Sequence, residues 1–190
     1  TTAGALTNVR PTAPNVVIVV AAVIVVDATA GEIMVRPTIP MGLDYGAFDS
    51  TATQTIATID TATAITLGTT LSSNGVSIGT PTSRIVVAQA GYYDVKATLQ
   101  LSSGNSSSKN IYVWLRKNGT DVSDTTRAFT NVKTGYTPLS ITYPVSLEAS
   151  DYVELYWAAS DTNVTLTPIT GLAFAPDSPS VLVSVTQTQL

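Results

Sequence analysis

The side chains able to do chemistry here are carboxylates, hydroxyls and aromatics, because the sequence contains neither histidine nor cysteine. That removes the imidazole general base, the thiol nucleophile, the disulfide and any His or Cys metal site. Two carboxylate pairs stand close in sequence, Asp44 with Asp49 and Glu148 with Asp151. Glycoside hydrolysis needs two carboxyl groups facing each other across a cleft, and nothing around either pair implies a cleft. The chain therefore reads as a non-enzyme. Asp121, Asp124 and Asp161 are the candidates for calcium, which takes about six to eight oxygens. They are not at ligand spacing and read as solvated turn residues, so no metal or cofactor is expected.

The aromatics Tyr92, Tyr93, Tyr112, Trp114, Tyr136, Tyr143, Tyr152, Tyr156 and Trp157 suit a sugar-binding platform. They equally suit a core or a seam between subunits, which aromatics dominate. Trp114 stands apart, since it shares a strand face with Tyr112 and Arg116 rather than with the aliphatics. Beside it is a polar run, 102–109, holding Ser103, Asn105, Ser107 and Lys109. Polar loops on a rigid sheet often carry binding, so these seven residues form the candidate recognition surface. Lys109, Lys117 and Lys133 with Arg116 and Arg127 also read as ordinary solvated charges.

The elements that must position these groups are strands. Tyr93, Val95, Ala97, Leu99 and Leu101 alternate with polar residues, and Ile111, Val113 and Leu115 alternate with Tyr112, Trp114 and Arg116. That is the two-residue period of half-buried strands. With 83–88 they suggest three successive strands of one antiparallel unit, closed by Asn118-Gly119, a strong turn signal. Short strands follow from 53–59 and 64–67, and Asn74-Gly75 marks a second turn. Segments 124–132 and 136–147 suggest a strand pair around Lys133-Thr134-Gly135. Further strands fall at 151–158, 162–169 and 180–187. No segment has a 3.6-residue apolar period, and about ten short strands between turn signals point to an all-β sandwich.

The N-terminal part differs. Val16, Val17, Ile18, Val19, Val20, Val23, Ile24 and Val25 belong to an unbroken apolar run, 16–26. At 11 residues it is far short of the ~20 a membrane helix needs, and no basic region precedes it, so neither membrane insertion nor a signal peptide is expected. Its β-branched composition suggests a strand turning at 27–31 into a second, 32–36. A strand apolar on both faces must be covered on both. Either it packs on the main domain or copies from neighbouring chains enclose it, and enclosure is the expectation, making this the attachment and oligomer strand. The Pro- and Gly-containing stretch 37–49 suggests a boundary, giving segment 1–47 and domain 48–190. Nine Lys and Arg in 190 residues and a net charge of −4 leave no phosphate-tracking patch, so nucleic acid is not an expected partner. Residue 1 is Thr, so the chain reads as a processed product or a piece of something longer.

Several of these strands resemble one family. Gly91-Tyr92-Tyr93-Asp94-Val95 resembles the Gly-x-Tyr-x-hydrophobic strand of the tumour necrosis factor and complement-globular-head family. Val113 to Gly119 is similar to its next strand, which ends in a basic residue and Asn-Gly. Val145 to Leu155 resembles its Leu-x-x-Gly-Asp-x-Val-x-Leu corner, with Ser150 in place of the glycine, and Val181 to Val185 falls where its closing strand does. The resemblance covers roughly residues 48–187 and implies an antiparallel ten-strand jelly-roll sandwich assembling as a homotrimer, here preceded by a small β-hairpin module. The phrases TSRIVVAQAGYYDV, YVWLRKNGTDV and DYVELYW resemble jelly rolls of tailed-bacteriophage virion proteins, and the leading LTNVRP segment with the two strands after it resembles a module of phage tail fibres. Neither a Gly-x-y stalk nor a cysteine is present, which turns the comparison from the animal signalling branch towards the phage one. It implies a virion protein at the particle surface. The first expectation is the receptor-binding part of a tail fibre, with a host surface glycan or protein as partner. The alternative is a capsid decoration (cement) protein held to other virion proteins by its N-terminal segment, and a third is a glycan-degrading tailspike domain.

Overall fold

The computed structural model describes residues 21–25, 32–35 and 42–189. The chain divides into two units, Thr1–Gly42 and Leu43–Leu190. In the first, β1 (Ala21–Val25) pairs antiparallel with β2 (Glu32–Val35), with Val23 opposite Ile33 and an irregularity between Val23 and Val25. Val23, Ile24 and Val25 thus lie in a hairpin strand; Val16, Val17, Ile18, Val19 and Val20 fall outside the described residues.

The second unit is an all-β jelly-roll sandwich. One seven-stranded sheet contains β5 (Thr63–Ala64), β7 (Val76–Ile78), β8 (Ile85–Val87), β10 (Lys109–Lys117), β11 (Thr120–Asp121), β12 (Arg127–Val132) and β14 (Tyr152–Ala159). The other contains β3 (Tyr45–Ser50), β4 (Gln54–Thr55), β6 (Thr69–Asn74), β9 (Gly91–Ser103), β13 (Gly135–Leu147), β15 (Val164–Leu166) and β16 (Val181–Gln189). The strand count exceeds the expected ten partly because segments as short as β4, β5 and β11 pair at the sheet margins. The domain also begins ahead of residue 48, since Tyr45 to Ser50 pair along β16.

Partners differ from expectation more than strands do. The segments 83–88, 91–101 and 109–117 are consecutive strands but not one antiparallel unit: β8 and β10 lie in one sheet and β9 in the other. Likewise β12 and β13 do not form a hairpin, as β12 pairs with β10 and β13 with β9. Each turn between them is a corner crossing the sandwich. Asn118-Gly119 does make a two-residue hairpin turn, with φ of 49° and 81°, pairing Lys117 with Thr120 and Arg116 with Asp121.

Alternation fixes the core. Tyr93, Val95, Ala97, Leu99 and Leu101 of β9 face Ile111, Val113 and Leu115 of β10 and Val153, Leu155 and Trp157 of β14 across the sandwich, all buried. Val181, Val183 and Val185 complete the β9 side at 0% exposure. Fully burying each such side chain contributes about 1.5–3 kcal/mol, so the interleaved layer dominates the domain's stability. Tyr143 reaches across it, its hydroxyl donating to the Val113 carbonyl at 3.0 Å; burial pushes that phenol up to about 12.

A buried polar knot closes one end. Asp44 has no exposed surface, and its carboxylate accepts from Gln89 Nε2 at 2.9 Å and from the Tyr93 hydroxyl at 3.4 Å. Its backbone exchanges hydrogen bonds with Gln187. Burial and the Asp44 charge push the Tyr93 phenol up to about 12. The knot ties the domain's first residues to the strand that ends it. Gly75, at the corner from β6 to β7, has φ 70°, and a Cβ there would overlap the Asp44 carboxylate.

Two left-handed positions test this geometry with opposite signs. Gly75→Ala adds both the φ penalty and the clash and should cost about 2 kcal/mol or more. Ser150 holds φ 71° where the resembled family has glycine, so Ser150→Gly should gain about 0.5–1 kcal/mol. Urea unfolding midpoints would measure both; a loss at Ser150 would show that its side chain supports the turn.

Candidate functional site

The two outward faces of the sandwich differ in chemistry. On the β10–β14 sheet, Tyr112, Trp114 and Arg116 point outward at half-burial, as alternation requires of residues between Ile111, Val113 and Leu115. Register sets Trp114 opposite Tyr156 and Arg116 opposite Glu154. The Trp114 and Tyr156 rings lie 6.0 Å apart, tilted by 35°, and the Arg116 guanidinium sits 4.0 Å over Tyr156. A similar pair follows along the sheet, Arg84 at 4.2 Å over Tyr152. Each exposed cation–π contact contributes about 0.5–1 kcal/mol; their larger effect is to fix orientation.

Asp121 organises the strip. Its Oδ1 accepts from the Trp114 indole Nε1 and from Arg116 Nε, both at 2.7 Å. The Arg116 guanidinium, then the indole, hold this carboxylate below its ordinary range, and Asp121 in turn raises Arg116. Sequence reasoning placed Asp121 among solvated turn residues. The signal that finds it is the Asn-Gly turn, because a two-residue loop at 118–119 puts Asp121 directly opposite Arg116.

Beyond Trp114 the sheet opens. β12 covers β10 at one end and β11 at the other, and between them residues 122–126 leave the ladder. Thr125 ties this loop down, its hydroxyl donating to the Val122 carbonyl at 2.7 Å and accepting from the Leu115 amide at 3.2 Å. The result is a cleft of about 330 Å³ lined by Tyr112, Trp114, Asp121, Val122, Ser123, Asp124 and Thr126.

The polar run is partly structural. Ser103 is not at a loop tip: it ends β9 with 4% exposure, and its hydroxyl accepts from the Asn105 amide at 3.1 Å. The loop itself spans 104–108. The Asn105 carbonyl accepts from the amide and hydroxyl of Thr134, Lys109 pairs with Asp161 at 3.0 Å, and Ser107 is exposed. These loops meet at one end of the domain. The opposite end holds Tyr45, which lies across β16 from the first residues of β9.

The carboxylate pairs are not placed for two-sided attack on a bond. Asp44 is buried in its knot, while Asp49 sits on the other face of β3. Asp151 locks the turn before β14: it accepts from the Glu148 amide at 2.8 Å and Asn118 Nδ2 at 2.6 Å, and pairs with Lys117 at 2.9 Å. Among the described residues, no three acidic side chains group to hold a metal ion.

The outer face of the other sheet is plainer. Its rows run Ser140–Thr98–Leu182–Asp49 and Thr142–Lys96–Ser184–Ala47 across β13, β9, β16 and β3. Lys96 is the one cation in these two rows. Tyr45, Leu71, Tyr92, Tyr136 and Leu182, all on this sheet's strands, are 41–55% exposed.

No family model matches the sequence, and no curated protein matches it. Solved structures do. Murine APRIL, crystallised at pH 5.0, superposes with a TM-score of 0.52 at 8% identity over 77% of this chain and 99% of its own. The globular domain of zebrafish complement 1qA protein superposes with a TM-score of 0.50 at 16% identity, over 77% of this chain and 96% of its own. At such identities the likeness concerns fold alone. The fold is the jelly roll that the Gly91, Asn118-Gly119 and Asp151 motifs imply.

The Asp151 lock carries a pH signature. The Glu148 amide, with Asn118 and Lys117, lowers its carboxyl from 3.8 to about 2. A carboxyl depressed in the folded state stabilises above its unfolded value, and that contribution is lost as pH falls from about 4 to about 2. Asp151→Asn should therefore destabilise the domain by about 1–2 kcal/mol at pH 7, with the difference vanishing near pH 2. Chemical unfolding across that range measures it; a pH-independent difference would assign the loss to packing.

Proposed function

We propose that this chain is a non-enzymatic structural and binding protein of a tailed-bacteriophage virion, a homotrimer forming the receptor-binding part of a tail fibre. The observation that carries self-association is the outer face of the β13–β9–β16–β3 sheet. It is broad and built mainly of Ser, Thr, Ala and Pro with exposed Tyr and Leu, with Asp49, Asp94 and Lys96 as charges on β3 and β9, while Arg84, Arg116, Lys117 and Arg127 sit on or beside strands of the other sheet. Exposed tyrosines and a scarcity of Lys are features that interface cores share. Trimeric rather than twofold assembly, and the virion setting, come from the resemblances of the strand motifs. The fold by itself supports many functions.

Domain polarity supports the fibre. Loop 104–108 and its partners around Thr134 and Asp161 lie at the end far from Tyr45, so a chain entering at Leu43 presents them outward. The separate β1–β2 hairpin suits attachment to other virion proteins, the feature a capsid decoration protein would also use. A depolymerase is the competing enzyme, and the burial of Asp44 and the turn role of Asp151 argue against it.

Labelling whole virions with an antibody to this chain decides between the sites. Signal at the tail tip is expected, and signal confined to the capsid faces would replace the fibre with the decoration protein. Incubation with host surface glycan should leave chain length and reducing ends unchanged; steady turnover would overturn the non-enzymatic reading.

A further inference from the structure

The cleft beside Trp114 has the chemistry of a sugar subsite, and this inference rests on the binding role proposed above. Three features point the same way. First, the aromatic floor is preorganised: the Trp114 indole is held by its N–H bond to Asp121 and by the Tyr156 ring, which carries Arg116 on its face. A ring already fixed before binding loses little entropy when a ligand stacks on it. Second, the wall opposite is polar and also fixed. Thr125 clamps loop 122–126 to β10, and Asp124 is held at φ 63° with its carbonyl accepting from Arg127. Ser123 and Thr126 add hydroxyls, and Tyr112 adds another beside the floor. Third, the volume of about 330 Å³ is at the small end of ligand clefts, sized for one ring rather than a peptide.

Charge narrows the class. The lining residues include two carboxylates and no Lys or Arg. Asp121 is already satisfied by Arg116 and Trp114. The Asp124 carboxylate has no hydrogen-bond partner among the described residues and is exposed in the loop. A free carboxylate accepts two adjacent hydroxyls and repels an anionic group. An apolar ring face bounded by hydroxyl donors and acceptors completes a match to a pyranose, whose C–H face stacks and whose hydroxyl edge bonds.

We propose that this cleft binds a neutral hexopyranose unit of a surface polysaccharide, with Trp114 as stacking platform and Asp124 as bidentate acceptor, and that it discriminates against uronic and sialic acids. The test is saturation-transfer NMR and titration of the full chain with methyl glucoside, methyl galactoside and methyl N-acetylglucosaminide, against glucuronic acid. At least one neutral glycoside should bind saturably with Kd on the order of millimolar, as one small ring allows. Glucuronic acid should bind about tenfold more weakly or not at all. Trp114→Ala should abolish saturation, and Asp124→Asn, which removes the charge while tolerating the left-handed backbone, should weaken binding roughly tenfold with an unchanged circular dichroism spectrum. Should Trp114→Ala not fold, Asp124→Asn still decides. Absence of binding by every neutral glycoside, equal affinity for glucuronic acid, or affinity unaltered by Asp124→Asn would each overturn the proposal. Tail labelling without sugar binding would sink this subsite alone; sugar binding with capsid labelling would sink only the fibre.

Discussion

Strand β9, Gly91–Ser103, is paired along both edges, with β13 on one side and with β16 and β15 on the other. Its register therefore sets the register of the whole sheet. A slip of one residue would carry Tyr92, Asp94 and Lys96 into the core and expel Tyr93, Val95 and Ala97. Two bonded edges and a fully buried face make that alternative inaccessible. The Asp44 knot adds a second lock at the same end, since Tyr93 supplies one of its donors, and the strand's first inward residue thus serves the core and the knot together.

The same alternation that builds the core distributes chemistry between the outer faces. Outward positions on β10 and β14 carry the large aromatics, which pair with cations as Arg84 over Tyr152 and as Arg116 over Tyr156 beside Trp114. Outward positions on β9, β13 and β16 mix small hydroxyl residues, as in the Thr98–Ser140 contact at 3.3 Å, with Tyr92, Tyr136 and Leu182 and the charges of Asp94 and Lys96. The two outer faces thus differ in chemistry, one carrying paired aromatics and cations and the other mostly short side chains.

Much of this was legible in the sequence because strand identity and facing are local properties. Tyr93 to Leu101, Ile111 to Leu115 and Val181 to Val185 face inward as their period requires. Pairing is not local. Segments 124–132 and 136–147 look like a hairpin from their turn residues, yet the jelly roll sends them to opposite sheets, and the alternation pattern is the same either way. Ser103 reads as the start of a polar loop because its hydroxyl is polar, while the structure uses that hydroxyl to cap the strand. Asp44 gives no local signal, because its partners Gln89, Tyr93 and Gln187 are brought to it only by the fold. Asp121 was within reach, since the Asn-Gly turn fixes its register against Arg116. The Trp114 face was visible, but the cleft beside it depends on where residues 122–126 leave the ladder.

Whether the outer face of the β13–β9–β16–β3 sheet joins copies of this chain can be read from mass. Light scattering at micromolar concentration should give three times the chain mass of 19.8 kDa for the intact protein. Thr98→Arg, a charge placed at an exposed position in the centre of the β13–β9–β16–β3 rows, should reduce the assembly to single chains with the domain still folded. A one-chain mass for the unaltered protein, or an undiminished trimer carrying Thr98→Arg, would contradict assembly through this face.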